Sequence, residues 1–185
     1  MKKIVFLFVA VFLTCTVARA DTFYRYPAAD VSTGAWQESP ASGFFYTKID
    51  TLPDSSSDPD YVWCSASGST AAFQAGKVVP GWVRGTVTVT LRWRLSRLAI
   101  PPGASPVLTL GVLNSAGASV GSLTVTSFST TSFSNSTLTL GSVPYSTAGQ
   151  ITVTLTAASL AAGDQFQVSS VEVQYSLNSW QTFEF

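Results

Sequence analysis

Trp82 to Leu95 reads WVRGTVTVTLRWRL. In an extended chain Val87, Val89, Leu91, Trp93 and Leu95 point one way, while Thr86, Thr88, Thr90, Arg92 and Arg94 point the other. β-Branched and aromatic residues dominate the stretch, as a half-buried pleated surface prefers. A strand with one apolar and one wet face is not stable alone. It needs partner strands and a second layer over its apolar side.

The flanking sequence supplies both. Downstream, Val107 to Leu113, Ser119 to Thr126, Ser136 to Leu140, Gln150 to Thr156 and Gln165 to Leu177 read as strands. Turn chemistry separates them at Asn114 to Gly117, Ser127 to Asn135, Gly141 to Gly149 and Ala161 to Asp164. Upstream, Thr22 to Tyr26 (ending at Pro27), Phe44 to Ile49, Tyr61 to Cys64 and Ala71 to Gln74 are shorter strand candidates. One helical candidate stands out, Ala157 to Ala162, stopped by Gly163. The spacing predicts an all-β chain, an antiparallel two-sheet β-sandwich of jelly-roll type.

Residues 1–20 read as a cleaved secretory signal: Lys2 and Lys3 begin it, Ile4 to Val17 is apolar, and Ala18-Arg19-Ala20 is an A-x-A cleavage pattern. The apolar run is shorter than the roughly 20 residues of a membrane span, so no membrane insertion is expected after cleavage. Residues 21–185 then form a single secreted domain, extracellular or at the cell surface. Loss of Lys2, Lys3 and Arg19 takes 10 basic residues to 7 against 10 acids, a net charge of −3. Such a balance attracts neither nucleic acid nor an anionic membrane. Of the two cysteines, Cys15 lies in the signal, leaving Cys64 without an intrachain disulfide partner.

The chain contains no His, which removes Ser-His-Asp and Cys-His catalysis and every imidazole metal site. No Gly pattern cradles a phosphate, and the carboxylates read as surface groups and turn caps. A non-enzymatic protein with no cofactor is expected. Asp54, Asp58 and Asp60 lie in a polar loop with two readings: oxygen ligands for calcium, or Asx turns folding the loop through its own backbone. Trp93 belongs to the core phase of its strand. Trp36, Trp82 and Trp180 lie near segment ends and are the candidates for stacking on a glycan, with core packing as the competing role. Arg84, Arg92, Arg94 and Arg97 form a positive stripe, expected to be a solvated face.

Tyr26 to Trp36 (YPAADVSTGAW), Tyr46 to Asp50 and Asp58 to Val62 resemble the opening of poorly characterised jelly-roll domains found in secreted and phage-associated proteins. Val168 to Val173 resembles their closing strand, although Ser170 stands where an aromatic is common. These domains are similar in outline to laminin-G-like and carbohydrate-binding sandwiches. The resemblance implies a two-sheet jelly roll and carries over no catalytic residue.

Charged residues make up 11% of the chain, against a usual figure near 25%, and the strand faces are rich in Thr and Ser. Uncharged faces and edges do little to prevent strand pairing between copies. The leading expectation is therefore a structural or adhesive subunit that associates with itself or with cell-surface matrix, helped by strand-like ends at Phe23 to Tyr26 and Trp180 to Phe185. Two alternatives stand beside it. One is a glycan-binding module for surface polysaccharide. The other is a small outer-membrane β-barrel, suggested by the terminal aromatic pattern Trp180 to Phe185.

Overall fold

The alternation in the quoted stretch becomes the spine of two packed sheets. The computed structural model describes residues 19–41, 44–49, 60–75, 85–97, 105–114, 116–140 and 151–179. In chain order the strands are β1 (Arg19–Arg25), β2 (Pro27–Ser32), β3 (Gln37–Ser39), β4 (Tyr61–Cys64), β5 (Ser69–Ala75) and β6 (Gly85–Arg97). They continue with β7 (Val107–Leu113), β8 (Ser119–Val125), β9 (Ser134–Leu140), β10 (Ile151–Ala158) and β11 (Asp164–Ser179). The first sheet runs β3-β4-β11-β6-β9, with β1 also paired to β11, and the second runs β2-β5-β10-β7-β8. Every pairing is antiparallel. The described strands make two separate sheets with free edges, so the closed-barrel alternative does not hold.

The apolar phase of each strand fills the space between the sheets. Val87, Val89, Leu91, Trp93 and Leu95 of β6 face Val153, Leu155 and Ala157 of β10 and Leu108, Leu110 and Val112 of β7 in one continuous core. Trp93 sits at its middle, 1% exposed, with Phe128 and Phe166 set edge-on to its ring at 6.4 and 5.9 Å. Its indole N–H donates to Ser136 Oγ at 2.9 Å, which satisfies the one polar atom it buries.

Two local expectations are corrected. Phe44 to Ile49 is not a strand; Phe45–Lys48 is a 3₁₀ turn. Its inward residues are Phe45, Lys48 and Ile49, a three-and-four spacing rather than alternation. The Phe44 carbonyl accepts from both Thr47 N–H and Thr47 Oγ1, while Asp30 accepts from Phe45 N–H at 3.2 Å. Ala157 to Ala162 is not a helix. Ala157 and Ala158 finish β10, and Ser159 (φ 55°) and Gly163 (φ 86°) turn the chain into β11. The β-pairing on both sides of Ala157 outweighs the helical preference of the four alanines in this stretch.

The turn joining β2 to β3 is pinned to the start of β5: Ala35 N–H donates to Ser69 Oγ at 2.8 Å and the Trp36 indole to Ser69 O at 3.4 Å. Gly34 has φ +55°, and a Cβ there would lie 2.5 Å from the Thr70 carbonyl oxygen. Gly34→Ala combines strain with a backbone clash, with an expected cost of about 1–3 kcal/mol. The denaturant midpoint, with an unchanged slope, reads this loss.

At one end of the sandwich Arg97 pairs with Asp164, Nε to Oδ1 at 2.8 Å and Nη2 to Oδ2 at 2.7 Å. Arg97 therefore does not belong to the wet stripe. It shares the phase of Leu95, opposite Asp164 in the β11 register, where only an ion pair makes burial of either charge tolerable. The Arg97 hydrogen bonds, helped by the Ala161 N–H, hold the Asp164 carboxyl below its usual 3.8. A lowered carboxylate contributes stability that is intact above that value and lost as pH falls through the folded pKa. Unfolding midpoints followed downward from about pH 5 are expected to fall, and Asp164→Asn to flatten that acid limb.

Candidate functional site

The outward phase of the first sheet carries a concentration of aromatic and polar side chains. In β4, Val62 and Cys64 are fully buried, so Tyr61 and Trp63 face outward, each partly buried. The β3 register sets Gln37 beside Trp63 and Ser39 beside Tyr61. Across the sheet Trp63 pairs with Gln167 of β11, and Gln167 pairs with Arg94 of β6. Gln167 is 4% exposed and accepts from Arg94 Nε at 2.6 Å. Its own amide donates to Gln165 at 3.4 Å, so the floor between Trp63 and Arg94 is a connected polar row.

Phe133, just before β9, closes the row on the far side. The Arg94 guanidinium lies 4.5 Å and the Arg92 guanidinium 5.8 Å from its ring centre, a double cation–π contact. Three strand spacings, roughly 14 Å of backbone, separate β4 from β9. Yet the Tyr61 and Phe133 rings are 6.4 Å apart, inclined at 52°. The two side chains therefore lean toward each other over the middle of the face. Beneath this region β11 has a bulge between Val168 and Ser170, and both Ser169 and Ser170 are 2% exposed. Two buried side-chain atoms lack a hydrogen-bond partner among the described residues: Arg92 Nε and Ser169 Oγ. Ser170 is the register partner of Arg92, so both orphans belong to the bulge. Further along, Tyr26 donates to Glu172 at 3.0 Å, and Thr90 meets Thr137 at 3.5 Å.

Such a face can hold a flat, hydroxyl-rich ligand, with aromatic rings for its apolar side and amides, hydroxyls and guanidinium groups for its rim. Cys64 is not part of it. Burial raises its thiol pKa, and Sγ lies 3.3 Å from the Ala66 carbonyl. Asp30, on β2, has its carboxyl pKa raised by burial, against the lowering effect of the Tyr46 and Phe45 backbone bonds.

The expected glycan contacts fare differently. Trp36 is 4% exposed and packs in the core behind Ser69, so its ring is not an open platform. Trp82 and Trp180 lie outside the described residues, as do Arg84, Asp54 and Asp58. Asp60 is described; its carboxylate is 3.7 Å from the buried Lys48 ammonium. Among the described residues no group of three His, Cys, Asp or Glu side chains is set to hold a metal ion. Tyr61, Phe133 and Gln167 are not singled out by the sequence, and Trp63, one of five tryptophans able to stack on a sugar, is not among the three it favours. In Tyr61-Val62-Trp63-Cys64 both phases are apolar, so alternation alone does not say which pair is inside.

No protein-family model matches the chain. No curated protein matches it. Among solved structures it is similar to a truncated AlyQ with CBM32 and alginate lyase domains, at 12% identity and TM-score 0.52, over 89% of this chain and 36% of that one. It is also similar to a cyclase from Fischerella sp. TAU, at 11% identity and TM-score 0.51, over 92% of this chain and 81% of that one. A xylan-binding module, CBM15, aligns at 15% identity and TM-score 0.49, over 85% of this chain and 97% of that one. The chain is an all-β, two-sheet antiparallel sandwich of jelly-roll type. Of the two with a TM-score above 0.5, one is a cyclase and the other joins a CBM32 domain to an alginate lyase domain, so fold alone does not decide function.

Proposed function

We propose that this chain is an exported, non-enzymatic glycan-binding module whose ligand lies on the outward face of the first sheet. The observation that carries the proposal is the gathering of Tyr61, Trp63 and Phe133 with Gln167, Arg92 and Arg94 on one side of one sheet. The described segments contain no helix long and apolar enough to cross a membrane. Affinity electrophoresis of residues 21–185 through gels containing laminarin, xylan, soluble cellulose derivatives, alginate or polygalacturonate tests it. Retardation by at least one polymer is expected, and free migration through all of them would overturn the proposal.

The adhesive-subunit reading has weaker support. Its N-terminal strand end is already used, because Arg19 to Arg25 pair with Val173 to Ser179 of the same chain. What favours it is that β8 and β9, the sheet edges on the opposite side, carry no charged residue. Light scattering over a range of concentration tests this second reading. Growth into large species would favour it, and a constant monomer mass would remove it.

A further inference from the structure

The two arginines of the aromatic face lack the partners that such charges ordinarily find. Arg97, three residues after Arg94, has a bidentate carboxylate. Among the described residues Arg92 and Arg94 have no carboxylate within ion-pair distance. Arg94 donates to a neutral amide, and both guanidinium groups lie against the Phe133 ring. Arg92 Nε is buried with no hydrogen bond, and the adjacent bulge leaves the Ser169 hydroxyl equally unpaired. Nearly all buried polar atoms in proteins are satisfied, so two orphans at one bulge mark a place where a partner is missing. Glu172, on the same face, is held by the Tyr26 hydroxyl.

A planar carboxylate is the group that a guanidinium fork matches best. It accepts from two donors at once and neutralises the local positive charge. On a face that also offers aromatic rings, the ligand that supplies both a flat ring and a carboxylate is a uronic acid residue. We infer that the glycan recognised here is a polyuronate, with a uronate carboxylate taken by Arg92 and Arg94 at the β11 bulge. This rests on the glycan-binding reading and narrows it to acidic chains. A mature domain of net charge −3 that nonetheless binds a polyanion does so through this local pair, so added salt weakens the complex.

The test uses a pair of polymers with the same backbone: polygalacturonate, and polygalacturonan whose carboxyls are methyl-esterified. Expected is strong retardation by the acid form, weak or none by the ester, and a loss of at least about tenfold in affinity for Arg92→Gln. Arg92→Lys keeps the charge without the fork and is expected to lose nearly as much. Thermal unfolding of each variant checks that it is folded. Should Arg92→Gln fail to fold, Arg94→Gln and the salt dependence of the unmodified protein carry the same distinction. Equal retardation by acid and ester, or binding only to laminarin, xylan or cellulose derivatives, would overturn the inference while leaving the glycan reading intact. Free migration through every polymer would overturn both.

Discussion

Trp63→Ala is expected to lower affinity for the retained polysaccharide by about 10- to 100-fold, the scale at which a Trp or Tyr anchor acts in a recognition surface. Trp63 lies between Gln37 and Gln167, so its removal deletes the aromatic ring at the β4 end of the row and leaves the polar groups on either side standing. The side chain points away from the core, whose β4 contribution comes from Val62 and Cys64. Thermal stability should therefore change far less than affinity. Titration calorimetry alongside thermal unfolding separates the two quantities. If affinity were unchanged, the binding face would not include Trp63.

Trp93→Ala is expected to have the largest effect on stability, about 3–5 kcal/mol, the usual cost of deleting a buried large aromatic. The indole is almost wholly enclosed and meets Phe128 and Phe166 edge-on. Its loss also strands the Ser136 hydroxyl that it bonds. Trp93→Phe keeps most of the volume and is expected to cost less than half as much. Denaturant unfolding of both variants gives the comparison, and a loss below about 1 kcal/mol for Trp93→Ala would show that the core does not close around this ring.

The contrast between these two tryptophans shows what was legible in the sequence. Trp93 lies among Val87, Val89, Leu91 and Leu95, with Thr and Arg on the alternate positions, so the phase was unambiguous and its burial followed. Two of the strand expectations, Val107 to Leu113 and Tyr61 to Cys64, match β7 and β4 residue for residue. β2 was missed because Pro27 reads as a strand end, yet it is the first residue of β2, where a missing N–H is tolerated; β3, Gln37–Ser39, is too short for alternation to show. Trp63 was passed over because Val62 and Cys64 are as apolar as its own phase. The Tyr61–Phe133 contact joins positions far apart in the chain, and only the order β4-β11-β6-β9 brings them within reach. Trp36 shows the converse. Its place near a segment end suggests exposure, but the turn folds back on Ser69 and buries it.

Arg92, Arg94 and Arg97 carry a similar lesson. As a composition they form one basic stripe; by phase, the first two face outward and the third faces Asp164. A one-position offset in a strand reverses the side a residue faces, so spacing decides here and charge count does not.

The central claim is that a glycan lies on the outward face of the first sheet, and hydroxyl-radical footprinting tests it most directly. Oxidation of the aromatic side chains is compared with and without a saturating amount of the retained polysaccharide. Phe44, 66% exposed and stacked on Tyr46 at 5.8 Å on the 3₁₀ turn, is the built-in reference. The expected result is protection of Tyr61, Trp63 and Phe133 with Phe44 unchanged. Unchanged oxidation of those three, or protection confined to Phe44 and Tyr46, would contradict the claim and move the site away from this face.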